Sequence, residues 1–293
     1  MSEHLREKWK YGKSMHQSIR TLLLAVGALI VCAPIAMAVS GSIKSTNELT
    51  ANLAPVLEGS SGDIFWNIFP LYPTLKHFLN LLFYTPSFFT VFWNSVKMVV
   101  MILAGQMVVA VPAAWFFARF DFQGKKMIFT IYVILMLIPF QLTMLPSYLV
   151  LDKMGLMGSQ WAVILPTIFS TFPVFLIYRG FTAIPEEIME AARTDGASDF
   201  MIFIRIGIPL GSTGILSALV LGFLDYWNMI EQPMSFIRDK ADWPLSIYLP
   251  EIGTSQAGAA LAASVIALIP AAFVFVIGQD YLEQGIIASG VKA

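Results

Sequence analysis

Six stretches of the chain run for roughly the width of a membrane without a charged side chain: residues 21–39, 98–118, 127–151, 154–178, 206–224 and 252–279. A helix needs about 20 apolar residues to cross the ~30 Å hydrocarbon layer. Each stretch is too long for a buried strand. They cannot all be core helices of a soluble domain, because too few polar helices remain to surround them. The pattern predicts an all-α integral membrane protein with six transmembrane helices. Its expected organisation is a cytoplasmic tail at 1–18, a first span at 19–40 and an extracytoplasmic segment at 41–87. A core at 88–280 follows, holding the other five spans and a two-helix cytoplasmic loop at 180–205, and then a cytoplasmic tail at 281–293.

The first stretch follows Arg6, Lys8, Lys10, Lys13 and Arg20, and Ala36-Met37-Ala38 looks like a cleavage site. The apolar core of a signal peptide runs only about 7–15 residues, so this longer run is expected to remain as an anchor. With the N-terminus inside, twelve of the 18 Lys and Arg residues fall in cytoplasmic segments and six outside. That is the bias of the positive-inside rule, and both termini are expected in the cytoplasm. The segment 41–87 is interrupted by Pro55, Gly59-Ser60-Ser61-Gly62, Pro70, Pro73 and Pro86. It reads as short amphipathic pieces at the outer interface, with aromatic clusters at Ile64-Phe65-Trp66 and Phe88-Phe89.

Composition removes other chemistries. Only 13% of residues are charged, about half the ~25% of a soluble domain. A net charge of −1 gives nucleic acid nothing to bind. The single cysteine, Cys32, lies in an apolar run and is expected to be a buried, inert thiol. His4, His16 and His77 are dispersed, there is no HExxH, and no nucleophile–base pair suggests itself. Gly12-Lys13-Ser14 resembles the end of a phosphate-binding loop, but Glu7 stands where its first glycine belongs. The chain is expected to be no enzyme and to bind no metal or other cofactor.

The loop after the fourth span carries the clearest local signals. Pro185 suits a first helical position, and Glu186 and Glu187 favour the positive end of a helix dipole. Ile188, Ala191 and Ala192 fall on one face at helical spacing. Arg193 falls in the last turn, Gly196 is placed to end the helix in the left-handed conformation, and Ser198 is placed to cap the next one. Such a unit is either a connector on the membrane surface or a knob offered to a cytoplasmic partner, with Glu190 beside two small residues as its anchor.

Glu190-Ala191-Ala192, three residues, Gly196, nine residues, Ile206, one residue, Ile208-Pro209 resembles the EAA loop of ABC importer permeases, with Ile208 where Leu is usual. Phe92-Trp93-Asn94-Ser95, Ala118-Arg119-Phe120 with Gly124-Lys125, Ile138-Pro139 with Pro146, Lys153-Met154-Gly155-Leu156, Trp227-Asn228 and the ending from Gly285 to Lys292 are similar to the maltose-type, carbohydrate-uptake subfamily. The resemblance implies a bacterial cytoplasmic-membrane permease with the type I importer fold, one half of a heterodimer with a second homologous permease. Two ATPase subunits, which hold ATP and Mg, would dock on the EAA loops, and an extracellular binding protein would deliver a sugar or oligosaccharide. It implies coupling through Glu187, Glu190, Ala191, Ala192, Arg193, Asp195, Gly196, Ile206 and Pro209. ATP-driven rotation of the two bundles would give alternating access.

Candidates for the solute pathway are Asp225, Trp227, Asn228, Gln141 and Gln106. Aromatic faces stack on sugars, amides bond hydroxyls, and a charge near a span end is a functional candidate. Asp225 could equally be hydrated at the interface, and Trp227 could anchor there. The rival is a secondary transporter or channel that needs no ATPase. Such folds often show internal repeats or mid-span carboxylates, and neither is visible here.

Overall fold

The computed structural model describes residues 3–57, 67–248 and 256–290, and every regular element among them is a helix. The chain divides into two compact units, Met1–Tyr84 with Ile252–Val265, and Thr85–Glu251 with Ile266–Ala293.

The first unit holds α1 (Glu3–Ser42), α2 (Thr46–Leu57), α3 (Lys76–Tyr84) and the first turns of the last helix. Helix α1 begins at Glu3 and contains the first span, Arg20–Ser42, none of whose apolar window is buried. Cys32 is exposed on it, which corrects the expectation of a buried thiol. A run that is apolar because it spans a membrane need not be covered by its own chain.

The segment beyond α1 is tied by polar contacts. Lys44 bridges to Pro73, Thr74 N–H donates to the Ile43 carbonyl at 2.7 Å, and Ser40 Oγ donates to the Ile68 carbonyl. The Glu48 carboxylate accepts the N–H groups of Leu71 and Tyr72 at 3.2 Å and lies 3.9 Å from Lys44 Nζ. Burial pulls the Lys44 ammonium below the ordinary lysine range, and the Glu48 charge acts against that pull. His77 Nε2 donates to the Lys44 carbonyl at 3.0 Å. The short pieces expected in 41–87 are thus α2 and α3. Gly59-Ser60-Ser61-Gly62 and Ile64-Phe65-Trp66 lie outside the described residues, as do Ile252 and Lys292.

The second unit opens with α4 (Pro86–Arg119), which starts well before the charge-free stretch at 98–118. The charge of Lys97, exposed on α4, ends the apolar count without ending the helix. The third stretch is two helices, α5 (Lys125–Met136) and α6 (Phe140–Lys153), bent by 100°. The break falls at Pro139, whose backbone is extended at φ −67°, ψ 148°. It has no N–H to continue α5 and holds its predecessor out of the helical region. The fourth stretch starts late. Gly155 and Gly158 sit at φ 70° and 87°, a turn that keeps 154–160 out of the span, and the helical part is α7 (Trp161–Ile168) with α8 (Thr171–Thr182).

Next come α9 (Glu186–Thr194) and α10 (Asp199–Ile202), one π turn at Phe203–Gly207, and α11 (Ile208–Leu210). A 64° bend leads into α12 (Ser212–Trp227). The π turn has a cause in Pro209, whose ring would crowd the Arg205 carbonyl in a regular helix. In the widened turn Ile208 N–H reaches back to the Phe203 carbonyl, five residues away. The short α13 (Glu231–Phe236) and α14 (Leu245–Tyr248) precede α15 (Ala257–Gly290). Among the described residues four helices are long and apolar enough to cross a membrane, and each bent pair taken as one span brings the number to six.

Helix α4 packs chiefly on α8, and α8 on α12. A Cβ on Gly180 would come within 2.9 Å of Gly214 Cα, so the α8–α12 contact exists only because both positions are glycine. The core around it gathers Trp115, Ile177, Phe181, Met189 and Ile202.

Candidate functional site

The loop between α8 and α12 opens with the short helix α9, whose far end is sealed. Pro185 caps α9 with an extended backbone, φ −58°, ψ 140°, so the helix begins one residue later than expected. At its far end Gly196 takes φ +83°. Its N–H bonds the Arg193 carbonyl, and the Ala197 N–H bonds the Ala192 carbonyl, both at 3.0 Å. These contacts satisfy the carbonyls a helix end leaves free. Ser198 Oγ then accepts the Met201 N–H at 3.3 Å and starts α10.

Ion pairs clasp this helix to its surroundings. Arg119, at the end of α4, donates to Glu186 Oε2 at 2.6 Å and to the carbonyls of Phe181 and Ile184 at 2.7 and 2.8 Å. Arg193 lies 3.4 Å from both Glu186 Oε1 and Asp199 Oδ1. Beneath α9, Met189 is 1% exposed, and Ala192 packs on the same core cluster.

The helix therefore presents two faces, and their register differs from the one expected. Ala192 turns inward with Met189, while Ile188 and Ala191 are exposed. Glu187, Glu190 and Asp195 stand out beside them. The outward face is a small apolar strip flanked by three carboxylates. Of the other residues expected here, Arg193 belongs to the clasp and Gly196 to the cap. Ile206 sits half-buried in the π turn, and Pro209 is exposed beyond it.

Four of the five solute-pathway candidates hydrogen-bond within the chain. Gln106 is fully buried, and its Nε2 donates to the Thr167 carbonyl at 2.8 Å and to Tyr226 Oη at 2.6 Å. Trp227 is 5% exposed. Its Nε1–H bonds the Ala267 carbonyl at 3.1 Å, and Phe223 stacks on its ring at 5.6 Å. Asn228 Nδ2 closes the end of α12 on the Leu224 carbonyl at 2.8 Å. Gln141 is exposed, with Nε2 2.8 and 3.0 Å from the carboxylate oxygens of Glu231. Asp225 is exposed on α12. Sequence reasoning missed Arg119 as a clasp and Glu231 as the partner of Gln141. The first was legible as a cation closing a span. The second carried no signal.

The pattern of the binding-protein-dependent transport system inner membrane component matches residues 110–288, a region that includes the whole loop. The chain belongs to that family. It is similar to the arabinooligosaccharides transport system permease protein AraQ of Halalkalibacterium halodurans, 29% identical over 249 residues that cover 84% of this chain and 89% of the relative. It is also similar to the diacetylchitobiose uptake system permease protein NgcG of Streptomyces coelicolor, 26% identical over 269 residues, or 89% of this chain and 84% of the relative. A solved chain of a bacterial ABC transporter involved in the import of the acidic polysaccharide alginate superimposes with a TM-score of 0.79. It is 22% identical, over 92% of this chain and 97% of that one. The fold is that of a type I importer permease, and the chain is a non-catalytic, membrane-embedded transport subunit.

Proposed function

We propose that this permease forms half of the pathway for an oligosaccharide and is driven by a cytoplasmic ATPase docked on the outward face of α9. The observation that carries the proposal is the division of α9 into a clasped inner face and an outer face whose carboxylates, Glu187, Glu190 and Asp195, have room for a partner. Such a face suits a groove with cationic side chains. The loop would lie in the cytoplasm with both termini, as the distribution of Lys and Arg supports. ATP and Mg would be held by the ATPase, so the chemistry belongs to the partner and the displacement to this chain.

The full assembly would pair this chain with a second homologous permease, two ATPase subunits and an extracellular solute-binding protein. The binding-protein-dependent family supports the last of these. So does a second, more distant fold match, to a bacterial alginate ABC transporter in complex with an alginate pentasaccharide-bound periplasmic protein. The oligosaccharide class rests on relatives named for arabinooligosaccharides and diacetylchitobiose. Purification of the tagged chain from its native membrane should recover an ATPase subunit, and Glu190→Arg should release it while the chain stays in the membrane. Retention of the ATPase by that variant would contradict docking on α9.

A further inference from the structure

We infer that Arg119 is a positioning residue that makes α9 and α4 move as one lever, so that a displacement of the docking helix enters the membrane through α4. The inference rests on the docking role proposed for α9. It starts from where one guanidinium reaches. Its side chain is 6% exposed. One arm bonds Glu186 in the first turn of α9, and the other bonds the Phe181 carbonyl at the end of α8 and the Ile184 carbonyl in the linker. Four pieces, α4, α8, the 183–185 linker and α9, meet on that group.

Apart from the ion pair of Arg193 with Asp199 at the start of α10, α9 packs on its neighbours through apolar side chains. Met189 and Ile184 share a cluster with Trp115 and Phe181, and the rings of Trp115 and Phe181 meet edge to face at 5.1 Å. Apolar contacts resist separation but slide easily, because they are not directional. A planar guanidinium held by three acceptors fixes both distance and orientation. The Arg119 side chain also lies over Trp115, 5.6 Å from the ring centre, so the directional clasp is joined to the packed core of α4.

The cost of this arrangement points away from a merely stabilising role. The Nε–H of Arg119 is buried without an acceptor among the described residues, and a buried unpaired donor destabilises a fold. Glu186 is half exposed, so removing the guanidinium leaves its carboxylate to water and not as a stranded buried charge, which is the costly outcome. Arg119→Met is therefore expected to assemble and yet to lose the directional link. Arg119→Lys keeps the cation at the negative end of α4 but not the fork.

The test uses the complex purified with its ATPase from the native membrane and placed in nanodiscs. Cys32 is the single cysteine, so a Cys32→Ser background takes spin labels at Asp121→Cys and Thr194→Cys. The distance between the labels is measured without nucleotide and after trapping with ATP and vanadate. With Arg119 present the distance distribution should stay narrow and unchanged between the two states. With Arg119→Met it should broaden and shift on trapping, and ATP hydrolysis should fall about tenfold, within the usual range of coupling energies, while the ATPase still co-purifies. Arg119→Lys should fall between the two, and it decides the matter if the Met variant does not assemble. An unchanged distance and unchanged hydrolysis in the variants would overturn the lever. Release of the ATPase by Glu190→Arg alongside such a result would leave docking intact and remove only the lever. Retention of the ATPase by Glu190→Arg would remove the docking proposal itself.

Discussion

In the loop between α8 and α12, Glu187, Glu190 and Asp195 extend from a helix whose own needs are met by other residues. At the far end of α12 the position is reversed. Trp227 and Asn228 belong to residue types that suit a sugar, but both are bonded to the backbone of their own chain. Gln106 is likewise bonded to Thr167 and Tyr226. The difference lies in accessibility: the carboxylates of α9 face outward, whereas Gln106 and Trp227 are buried in their own chain. A polar side chain inside a membrane is first a way to satisfy backbone groups that water cannot reach.

Truncation at each end should separate the two roles. Trp227→Ala removes a ring packed on Phe92 and Phe223 together with its bond to Ala267. It should destabilise the chain by about 3–5 kcal/mol, the range for large core truncations, seen as a lower thermal midpoint in detergent. A loss of solute affinity with the midpoint unchanged would instead place Trp227 in the pathway. Ala191→Arg on the open face of α9 should do the opposite. ATPase affinity should fall by about a hundredfold, equivalent to ~3 kcal/mol, while the permease melts as before.

Much of this was legible in the sequence, for reasons that can be named. Six charge-free stretches were enough to locate the four long apolar helices and the two bent pairs among the described residues, because lipid imposes length and apolarity together. The end of α9 and the start of α10 were legible because Gly196 and Ser198 each act within a few residues of themselves. The inner structure of the spans was not. The 100° break at Pro139 and the turn at 154–160 leave the average hydropathy untouched. Nor was the facing of α9 legible, since Met189 and Ile188 are both apolar. Which of them turns inward is set by the core of Trp115 and Phe181, and Trp115 is far away in sequence.

Smaller effects sharpen the contrast further. Asn228→Ala loses one helix-end bond to Leu224 and should cost about 1 kcal/mol, read from the same melt, with transport affinity preserved. Smaller still is the pH dependence of the outer unit. Lys44 has its pKa depressed in the folded chain by burial, so over the window from that lowered value up to the ordinary 10.5 the unfolded chain binds the extra proton. Stability should then rise with pH across the window and lose that gain as pH falls through the lowered value. Lys44→Met should flatten the slope of the thermal midpoint against pH on the alkaline side. A slope equal to that of the unaltered chain would show that Lys44 is not its source.

The most direct test of the central claim is photo-crosslinking from the open face of α9. A benzophenone amino acid at Ile188, on that face, is compared with one at Trp93, which is 61% exposed on α4. Illumination of the native complex should join the Ile188 position to the ATPase subunit and leave the Trp93 position unjoined to it. An ATPase crosslink from Trp93, or none from Ile188 in a complex that hydrolyses ATP, would contradict the assignment of α9 as the docking helix.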